Sequence, residues 1–317
     1  MNIGSVFVIG LMSGTSLDGI DLVYVKFDKN RYQDFDILHS ETVAYSEKWK
    51  STLQNAITFS SDALKSLDIA YGKLLGEVLN GFIDKFNIDN IDFIASHGHT
   101  VLHQPQDGVT FQVGDGQTIA NATNLKVICD FRTQDVQLGG QGAPLVPIGD
   151  ELLFSDYEFC LNLGGFSNIS FHKKGRRIAY DICPVNIVLN FYANKLGVDY
   201  DVSGKITLID QLETNVSSIL RTFVEHIAMQ IGSVIAGSNS VLITGGGVFN
   251  SFLLERITFY AHIKITLTSS KIIDFKEALI FAFLGLLRSD GKVNCLKSVT
   301  GASKNHSSGE IFYPNRK

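Results

Sequence analysis

The stretch that decides the fold is Gly10-Leu11-Met12-Ser13-Gly14-Thr15-Ser16-Leu17-Asp18-Gly19-Ile20-Asp21. An apolar run, Val6-Phe7-Val8-Ile9, leads into it, and a second, Leu22-Val23-Tyr24-Val25, leaves it. Two apolar runs around a polar, glycine-bearing segment read as a β-hairpin with a long turn. Glycine lets the backbone approach a ligand closely, and successive N–H groups in such a turn can point at one anion. Ser13, Thr15 and Ser16 add hydroxyl donors, and Asp18 offers a carboxylate to a metal ion or a water. A polar hairpin turn with no ligand is the plain alternative. The stretch is not a Walker-type loop, because no Gly-Lys-Ser/Thr follows and no helix opens after it.

The other half of the chain repeats the pattern. Phe159-Cys160-Leu161-Asn162-Leu163 reads as a strand, Gly164-Gly165-Phe166-Ser167-Asn168 as a polar glycine turn, and Ile169-Ser170-Phe171 as the returning strand. Two such hairpins suggest two related α/β halves facing a nucleotide across a cleft. A third glycine segment, Gly245-Gly246-Gly247, follows the apolar run Ser240-Val241-Leu242-Ile243-Thr244 and precedes a helix from about Asn250 to Ile257. That order can lay backbone flat against a base or ribose; by itself it is also a tight strand-to-helix turn.

Between these landmarks the periodicity alternates. Residues 34–38 and 41–45 read as two further strands. Leu64, Leu67, Tyr71, Leu75, Leu79, Phe82 and Phe86 recur at helical spacing behind the capping candidates Ser60, Ser61 and Asp62. The strand Phe93-Ile94-Ala95-Ser96 ends in His97-Gly98-His99-Thr100, with His103 close behind. These histidines match no zinc spacing and have no acidic or thiol neighbour in sequence, so a polar substrate contact by His97 is expected instead. Arg132 follows the strand Val127-Ile128-Cys129 and offers a planar fork to a carboxylate or phosphate, with an ion pair as the alternative. Residues 139–147 read as a flexible crossing segment. Pro184 is expected in the first turn of a helix, which places Asp181 between a strand end and a helix N-terminus, as a general base or as an N-cap. Cys183 reads as a buried spectator thiol. Residues 216–234 carry one long helix face. Glu277, in Lys276-Glu277-Ala278, is a first-turn charge or a site carboxylate. The tail from residue 301 is polar and is expected to be loosely held.

The bulk numbers set the frame. A length of 317 residues fits two ordinary domains, and 45% hydrophobic against 19% charged residues supports a sizeable core. A net charge of -5 with no basic stripe argues against nucleic acid as a partner. Cys129, Cys160, Cys183 and Cys295 are dispersed, with no Cys-x-x-Cys pair and no metal-ligand spacing, which fits reduced thiols in the cytoplasm. The N-terminus lacks a basic n-region and no apolar run approaches a membrane span, so neither a signal peptide nor a membrane partner is expected.

Together these motifs resemble the sugar-kinase, actin and heat-shock ATPase superfamily, and more closely the anhydro-N-acetylmuramic acid kinase family. The resemblance is carried by residues 10–21, Ser96-His97-Gly98-His99-Thr100, Gln112-Val113-Gly114-Asp115, Asp130-Phe131-Arg132, 139–147, 161–168, Thr244-Gly245-Gly246-Gly247 with Asn250, Lys276-Glu277-Ala278 and Ser298-Val299-Thr300-Gly301-Ala302. It implies two actin/hexokinase-like (ribonuclease H-like) α/β domains facing a nucleotide cleft. The domains are expected at 1–124 plus 297–317 and at 125–296, the second with a shortened lid. It implies ATP and Mg²⁺ as cofactors and a small anhydrosugar as partner, and a homodimer is left open. The implied reaction uses ATP and water to open the bridge of 1,6-anhydro-N-acetylmuramic acid and yields N-acetylmuramic acid 6-phosphate in cell-wall recycling. Asp181 falls on the family's base, and Glu277 is similar to a second carboxylate near the sugar. His97 and Arg132 match sugar-side positions. Ser13, Gly14, Thr15, Ser16, Asp18, Gly19, Gly164, Gly165, Gly245, Gly246, Gly247 and Asn250 match nucleotide-side positions, with Asp18 toward Mg²⁺ through water. Two departures stand out. The family's Asp-Thr-Gly-Pro-Gly-Asn reads Asp181-Ile182-Cys183-Pro184-Val185-Asn186 here, and a longer family stretch is missing between Leu212 and Asn215. The alternatives are an impaired relative that binds nucleotide or sugar as a sensor or partner module, and another kinase or a polyphosphatase on the same fold.

Overall fold

The computed structural model describes residues 4–14, 16–205 and 215–315. It divides into two units, Met1–Leu153 with Glu277–Lys317, and Phe154–Lys276.

The first unit is built on the opening hairpin. Strand β1 (Ser5–Met12) pairs antiparallel with β2 (Ile20–Asp28), with Val8 opposite Val25 and Leu11 opposite Leu22. The two strands expected at 34–38 and 41–45 are one strand, β3 (Phe35–Val43). His39 and Ser40 continue the pairing opposite Tyr24 and Val23, and a bulge between Tyr24 and Val25 absorbs the register change. Strand β4 (Phe93–Ser96) runs parallel to β1. Strands β5 (His99–Gln104) and β6 (Val109–Val113) form a separate two-stranded ribbon. Strand β7 (Val127–Cys129) lies parallel to β4. The strand Glu310–Phe312 pairs antiparallel with β7 and ends the sheet. From that strand the sheet runs β7, β4, β1, β2, β3. Residues 310–312 of the polar tail are therefore part of the sheet and not loosely held. Arg288 also ties it down, donating from Nε to the Gly309 carbonyl (2.8 Å) and from Nη1 to the Ser307 carbonyl (3.4 Å).

Helices cover this sheet, two of them long. Helix Ser61–Phe86 starts at Ser60, whose hydroxyl accepts from Ala63 N, and stops at Asn87 in the left-handed conformation. Its Leu67, Tyr71, Leu75, Leu79 and Phe82 pack in one core with Ile9, Leu11 and Leu22. Helix Ser270–Ser289 approaches β1 so closely that a Cβ on Gly10 would lie 2.3 Å from the Ala278 carbonyl and 2.8 Å from Ala282 Cβ. The sequence places domain boundaries after 124 and before 297; the units of the structure divide at 153/154 and 276/277. Residues 125–153 stay with the first unit because β7 extends its sheet, and the later boundary falls at Glu277, inside the helix that packs on β1.

The second unit repeats the scheme in a smaller sheet. Strands β8 (Phe159–Leu163), β9 (Phe166–Lys173) and β10 (Arg176–Pro184) form an antiparallel meander, and β11 (Val241–Thr244) lies parallel to β8. A hairpin, a third antiparallel strand and a parallel strand against the first is the order of β1 to β4 as well, so both units follow one strand scheme. Leu220, Val224, Ile227 and Ile231 of helix Asn215–Ile235 fill the core with Leu161, Leu163, Ile169 and Ile243. One expectation fails here. Asp181 lies inside β10, and helix Asn186–Lys195 begins only after Val185, which makes no side-chain cap. Asp181 is not the helix N-cap, which is Val185, because Pro184 ends the strand instead of opening the helix.

Among the described residues, no helix is long and apolar enough to cross a membrane. All four cysteines are free and buried.

Candidate active site

In the first unit the turn after β1 is anchored from below. The buried Ser13 hydroxyl donates to the Gly98 carbonyl (2.8 Å) and accepts from the Tyr71 hydroxyl (3.0 Å), which is itself hydrogen-bonded to the Tyr45 hydroxyl. That hydroxyl pins the turn to the end of β4, and its proton is already committed. Leu17, in the left-handed region at φ 60°, buries its side chain and returns the turn to β2. Gly19 is a packing glycine: a Cβ there would sit 2.7 Å from Thr42 Cγ2 and 2.8 Å from the Val43 carbonyl. Gly14 is not, since a Cβ would meet only Ser16 Oγ, at 3.6 Å. Ser16 and Asp18 are exposed beside it. Thr15 lies outside the described residues.

The structure brings His97, Arg132 and Glu277 together. His97 Nδ1 faces the Gly98 carbonyl at 2.8 Å and therefore carries the proton. Its Nε2 accepts from Arg132 Nε (3.0 Å) and Nη2 (2.9 Å). Burial, then the guanidinium, hold His97 well below the usual histidine range, so the ring is a neutral acceptor. Arg132 Nη1 donates to the Gly142 carbonyl at 2.6 Å, which fixes the glycine-rich segment expected to be flexible. Burial lowers the Arg132 pKa to about 10, while the Glu277 charge acts on it in the opposite direction. Glu277 sits in the third turn of helix Ser270–Ser289, so it is not a first-turn charge.

The neighbouring histidines differ in setting. His103 is exposed, with Nδ1 3.1 Å from Thr110 Oγ1. His99 is buried edge-on to Tyr71, and its Nδ1 has no hydrogen-bond partner. Burial lowers its pKa from 6.5 to about 4. The unfolded chain takes up that proton at a higher pH than the folded one. His99 therefore contributes stability that is complete above pH 6.5 and lost as pH falls toward about 4. In urea titrations across that window, His99→Phe is expected to flatten the decline; an unaltered pH slope would refute the assignment.

In the second unit both glycine segments meet at one end of the sheet. The first amides of helix Asn186–Lys195 donate into the β8–β9 turn: Val185 N to Gly165 O (2.8 Å), Asn186 N to Gly164 O (3.2 Å) and Ile187 N to Gly165 O (3.3 Å). The turn's carbonyls are thereby occupied. A Cβ on Gly165 would meet nothing within 4 Å. Gly245 follows β11 at φ +87°, and its Cβ would lie 2.5 Å from Asn162 Oδ1 and 2.9 Å from the Leu163 carbonyl. Only glycine allows both that φ and that approach. Gly247 also lies on Leu163, whereas a Cβ on Gly246 would meet only Asn186 Nδ2, at 3.7 Å. The Asn250 Oδ1 caps helix Ser251–Ala261 by accepting from Leu253 N at 3.0 Å. Sequence reading missed Asn162 and Asn186. The signal was a polar residue inside the apolar Phe159-Cys160-Leu161-Asn162-Leu163 run, and Asn186 Nδ2 donates to the Leu163 carbonyl at 3.1 Å.

Asp181 pairs with Asn168 on β9, which pairs with Asn162 on β8. The register thus puts Asp181 in line with the glycine end of the sheet. Its side chain is exposed, and among the described residues no hydrogen bond or ion pair holds it. The bulge beside it is fixed by Ser167, whose Oγ donates to the Cys183 carbonyl (3.0 Å) and accepts from Cys183 N (3.3 Å). Burial pushes the Cys183 thiol up, in keeping with a spectator.

Gly14, Gly165 and Gly246 are thus not required by packing, which leaves room for the close approach of a phosphate or nucleoside. The exposed Asp18 carboxylate is the hard oxygen donor that Mg²⁺ prefers. Taken unit by unit, the open Gly14 turn with Asp18 has the chemistry to accept a phosphate and its magnesium, and the open Gly165 turn has room for a phosphate.

The family model described as "Anhydro-N-acetylmuramic acid kinase" matches residues 6–216 and 203–314. A relative of that name from Shewanella loihica is 30% identical over 368 aligned residues, covering 98% of this chain and 99% of its own. Another, from Bacillus cereus, is 28% identical over 383, covering 97% and 99%. A solved structure, the activator of 2-hydroxyisocaproyl-CoA dehydratase from Clostridium difficile, is similar with a TM-score of 0.47 at 13% identity, covering 90% of this chain and 97% of that one. The two parts of the family match overlap over residues 203–216. The shortening expected between Leu212 and Asn215 falls at that break, outside the described residues. With a match that spans nearly its whole length and takes in both glycine hairpins, Asp181 and the His97–Arg132 pair, the chain belongs to the anhydro-N-acetylmuramic acid kinase family.

Proposed function

We propose that the chain uses ATP and water to convert 1,6-anhydro-N-acetylmuramic acid to N-acetylmuramic acid 6-phosphate, with Asp181 as general base. The observation that supports the assignment most is an exposed carboxylate, unengaged among the described residues, on a strand whose geometry Ser167 fixes. The substrate has no free hydroxyl at carbon six, because that oxygen is locked in the bridge. Asp181 takes a proton from water, the water oxygen bonds to carbon one, and the bond from carbon one to the bridging oxygen breaks. The released oxygen then bonds to the γ-phosphorus while the bond from that phosphorus to the bridging oxygen of ATP breaks, and ADP leaves. Arg132 uses three of its donors on His97 and Gly142, so two of the five N–H groups of a guanidinium remain for the lactyl carboxylate of the sugar. Neutral His97 holds that fork without competing for the anion. Glu277 is the second carboxylate beside the sugar.

Backbone N–H groups of the Gly14 and Gly164–Gly165 turns are assigned to the phosphates, and the Gly245–Gly247 segment to the nucleoside. Asp18 would hold Mg²⁺ through water, and the ion would neutralise phosphate charge as transfer proceeds. A cytoplasmic setting is supported by four free thiols. The test is direct. With ATP, Mg²⁺ and the anhydrosugar, mass spectrometry should find the sugar 6-phosphate. Retained nucleotide binding without that product would sink the proposal.

A further inference from the structure

We propose that the first unit holds a zinc-class metal site whose three protein ligands are Asp135, Cys295 and His306, with the fourth position of the ion left open to a water or small ligand. The three are far apart in sequence and converge in the interior, with residue exposures of 0%, 2% and 5%. Cys295 and His306 sit opposite each other in an isolated antiparallel bridge, with N-to-O bonds of 3.1 and 3.2 Å in the two directions. That bridge sets their side chains side by side above Asp135. One carboxylate oxygen, the thiol sulfur and one imidazole nitrogen all lie within 4.8 Å of one another. Among the described residues no other group of His, Cys, Asp and Glu has this arrangement.

The directions of the groups point to a cation. His306 Nδ1 lies 3.2 Å from the Lys304 carbonyl and so carries a proton. Its Nε2 makes no hydrogen bond and lies 3.5 Å from Asp135 Oδ1. A ring nitrogen with no hydrogen-bond partner this close to a carboxylate oxygen in a buried site calls for a positive charge between them. A proton would draw nitrogen and oxygen to about 2.7–2.9 Å, the length of a charge-assisted hydrogen bond. A tetrahedral ion with ligands at about 2.0–2.1 Å holds them about 3.3–3.4 Å apart, close to the spacing observed.

The surroundings are those of a built site. Asp135 is oriented before any ion arrives: Oδ1 accepts from Thr300 Oγ1 (2.7 Å) and Oδ2 from Gly142 N (2.8 Å). A ligand histidine turned by a backbone carbonyl and a ligand carboxylate held by hydrogen bonds are the usual supports around a bound metal. Charge balances too. One carboxylate and one thiolate offset a divalent ion, so filling the site places no net charge in the core. On binding, the Cys295 S–H bond gives way to a sulfur–metal bond and the proton leaves to solvent. The ion would join the Asp135 segment, which also carries the Gly142 loop that Arg132 grips, to the C-terminal tail.

The test uses the purified full chain, stripped of metal and titrated with Co²⁺. The expected result is saturation at one equivalent with a near-ultraviolet thiolate-to-cobalt charge-transfer band, bleached by added Zn²⁺. Cys295→Ser should lose that band, and His306→Gln should weaken Co²⁺ binding at least about tenfold, as loss of a ligand or its support does. Circular dichroism establishes that each variant is folded, and if either is not, the wild-type band decides. No saturable band in the wild type, or a band that survives in folded Cys295→Ser, overturns the site and leaves a proton-bridged Asp135–His306 pair.

Discussion

Asp181→Asn is expected to lower anhydrosugar turnover by about a thousandfold, inside the roughly 10²–10⁴ range for a positioned general base. The binding constant for ATP should stay unchanged. The amide keeps the shape of the carboxylate and can still hydrogen-bond to water, but it cannot take a proton from it. The fold should not register the change, because Asp181 is exposed and no described side chain leans on it. Backbone pairing with Asn168 holds it in β10 whatever its side chain. Had Asp181 been a helix N-cap, asparagine would have been a near-neutral replacement in every assay. Its position inside a strand makes the outcome one-sided: unchanged turnover would refute the base assignment, and loss of ATP binding would move the residue to the nucleotide side.

Gly10→Ala is expected to destabilise the first unit by about 3 kcal/mol, the upper end for overpacking a core. The added Cβ would lie 2.3 Å from the Ala278 carbonyl oxygen, 2.8 Å from Ala282 Cβ and 3.1 Å from Val23 Cγ2. The first of these is backbone inside a helix, which cannot rotate away as a side chain can. Either β1 or helix Ser270–Ser289 must shift, and Ala278 is the neighbour of Glu277. The variant should therefore also bind sugar more weakly in whatever fraction remains folded. Urea unfolding of wild type and variant measures the first effect, and equal midpoints would show that the helix does not seat on Gly10.

Much of this architecture is written plainly in the residues. The runs Val6-Phe7-Val8-Ile9 and Leu22-Val23-Tyr24-Val25 and the helical recurrence from Leu64 to Phe86 each carry a strong period, and the elements lie where the periods put them. What was hidden was hidden for local reasons. His39-Ser40 interrupts the apolar pattern of β3 although its backbone pairing continues. Glu310-Ile311-Phe312 is too short to show alternation, yet it completes a sheet. Pro184 suits both the end of a strand and the first turn of a helix, and only pairing with Phe166 decides between them.

The site was legible by type and not by geometry. The sequence offered Ser13 as an anion donor, but burial commits its hydroxyl to Gly98 and Tyr71. It offered His97 and Arg132 separately, whereas they act as one unit because β4 and β7 are neighbours in the sheet. It showed four cysteines with no metal spacing. The grouping of Cys295 with His306 and Asp135 depends on a two-residue bridge and on the return of the tail, neither of which leaves a periodic trace.

The most direct measurement of the central claim is the reaction run in heavy-oxygen water with ATP, Mg²⁺ and 1,6-anhydro-N-acetylmuramic acid, quenched early and read by mass spectrometry. Water attack assisted by Asp181 predicts N-acetylmuramic acid 6-phosphate with the solvent oxygen on carbon one and none in the phosphoryl group. Solvent oxygen in the phosphate, or ADP released with no sugar phosphate formed, would contradict it.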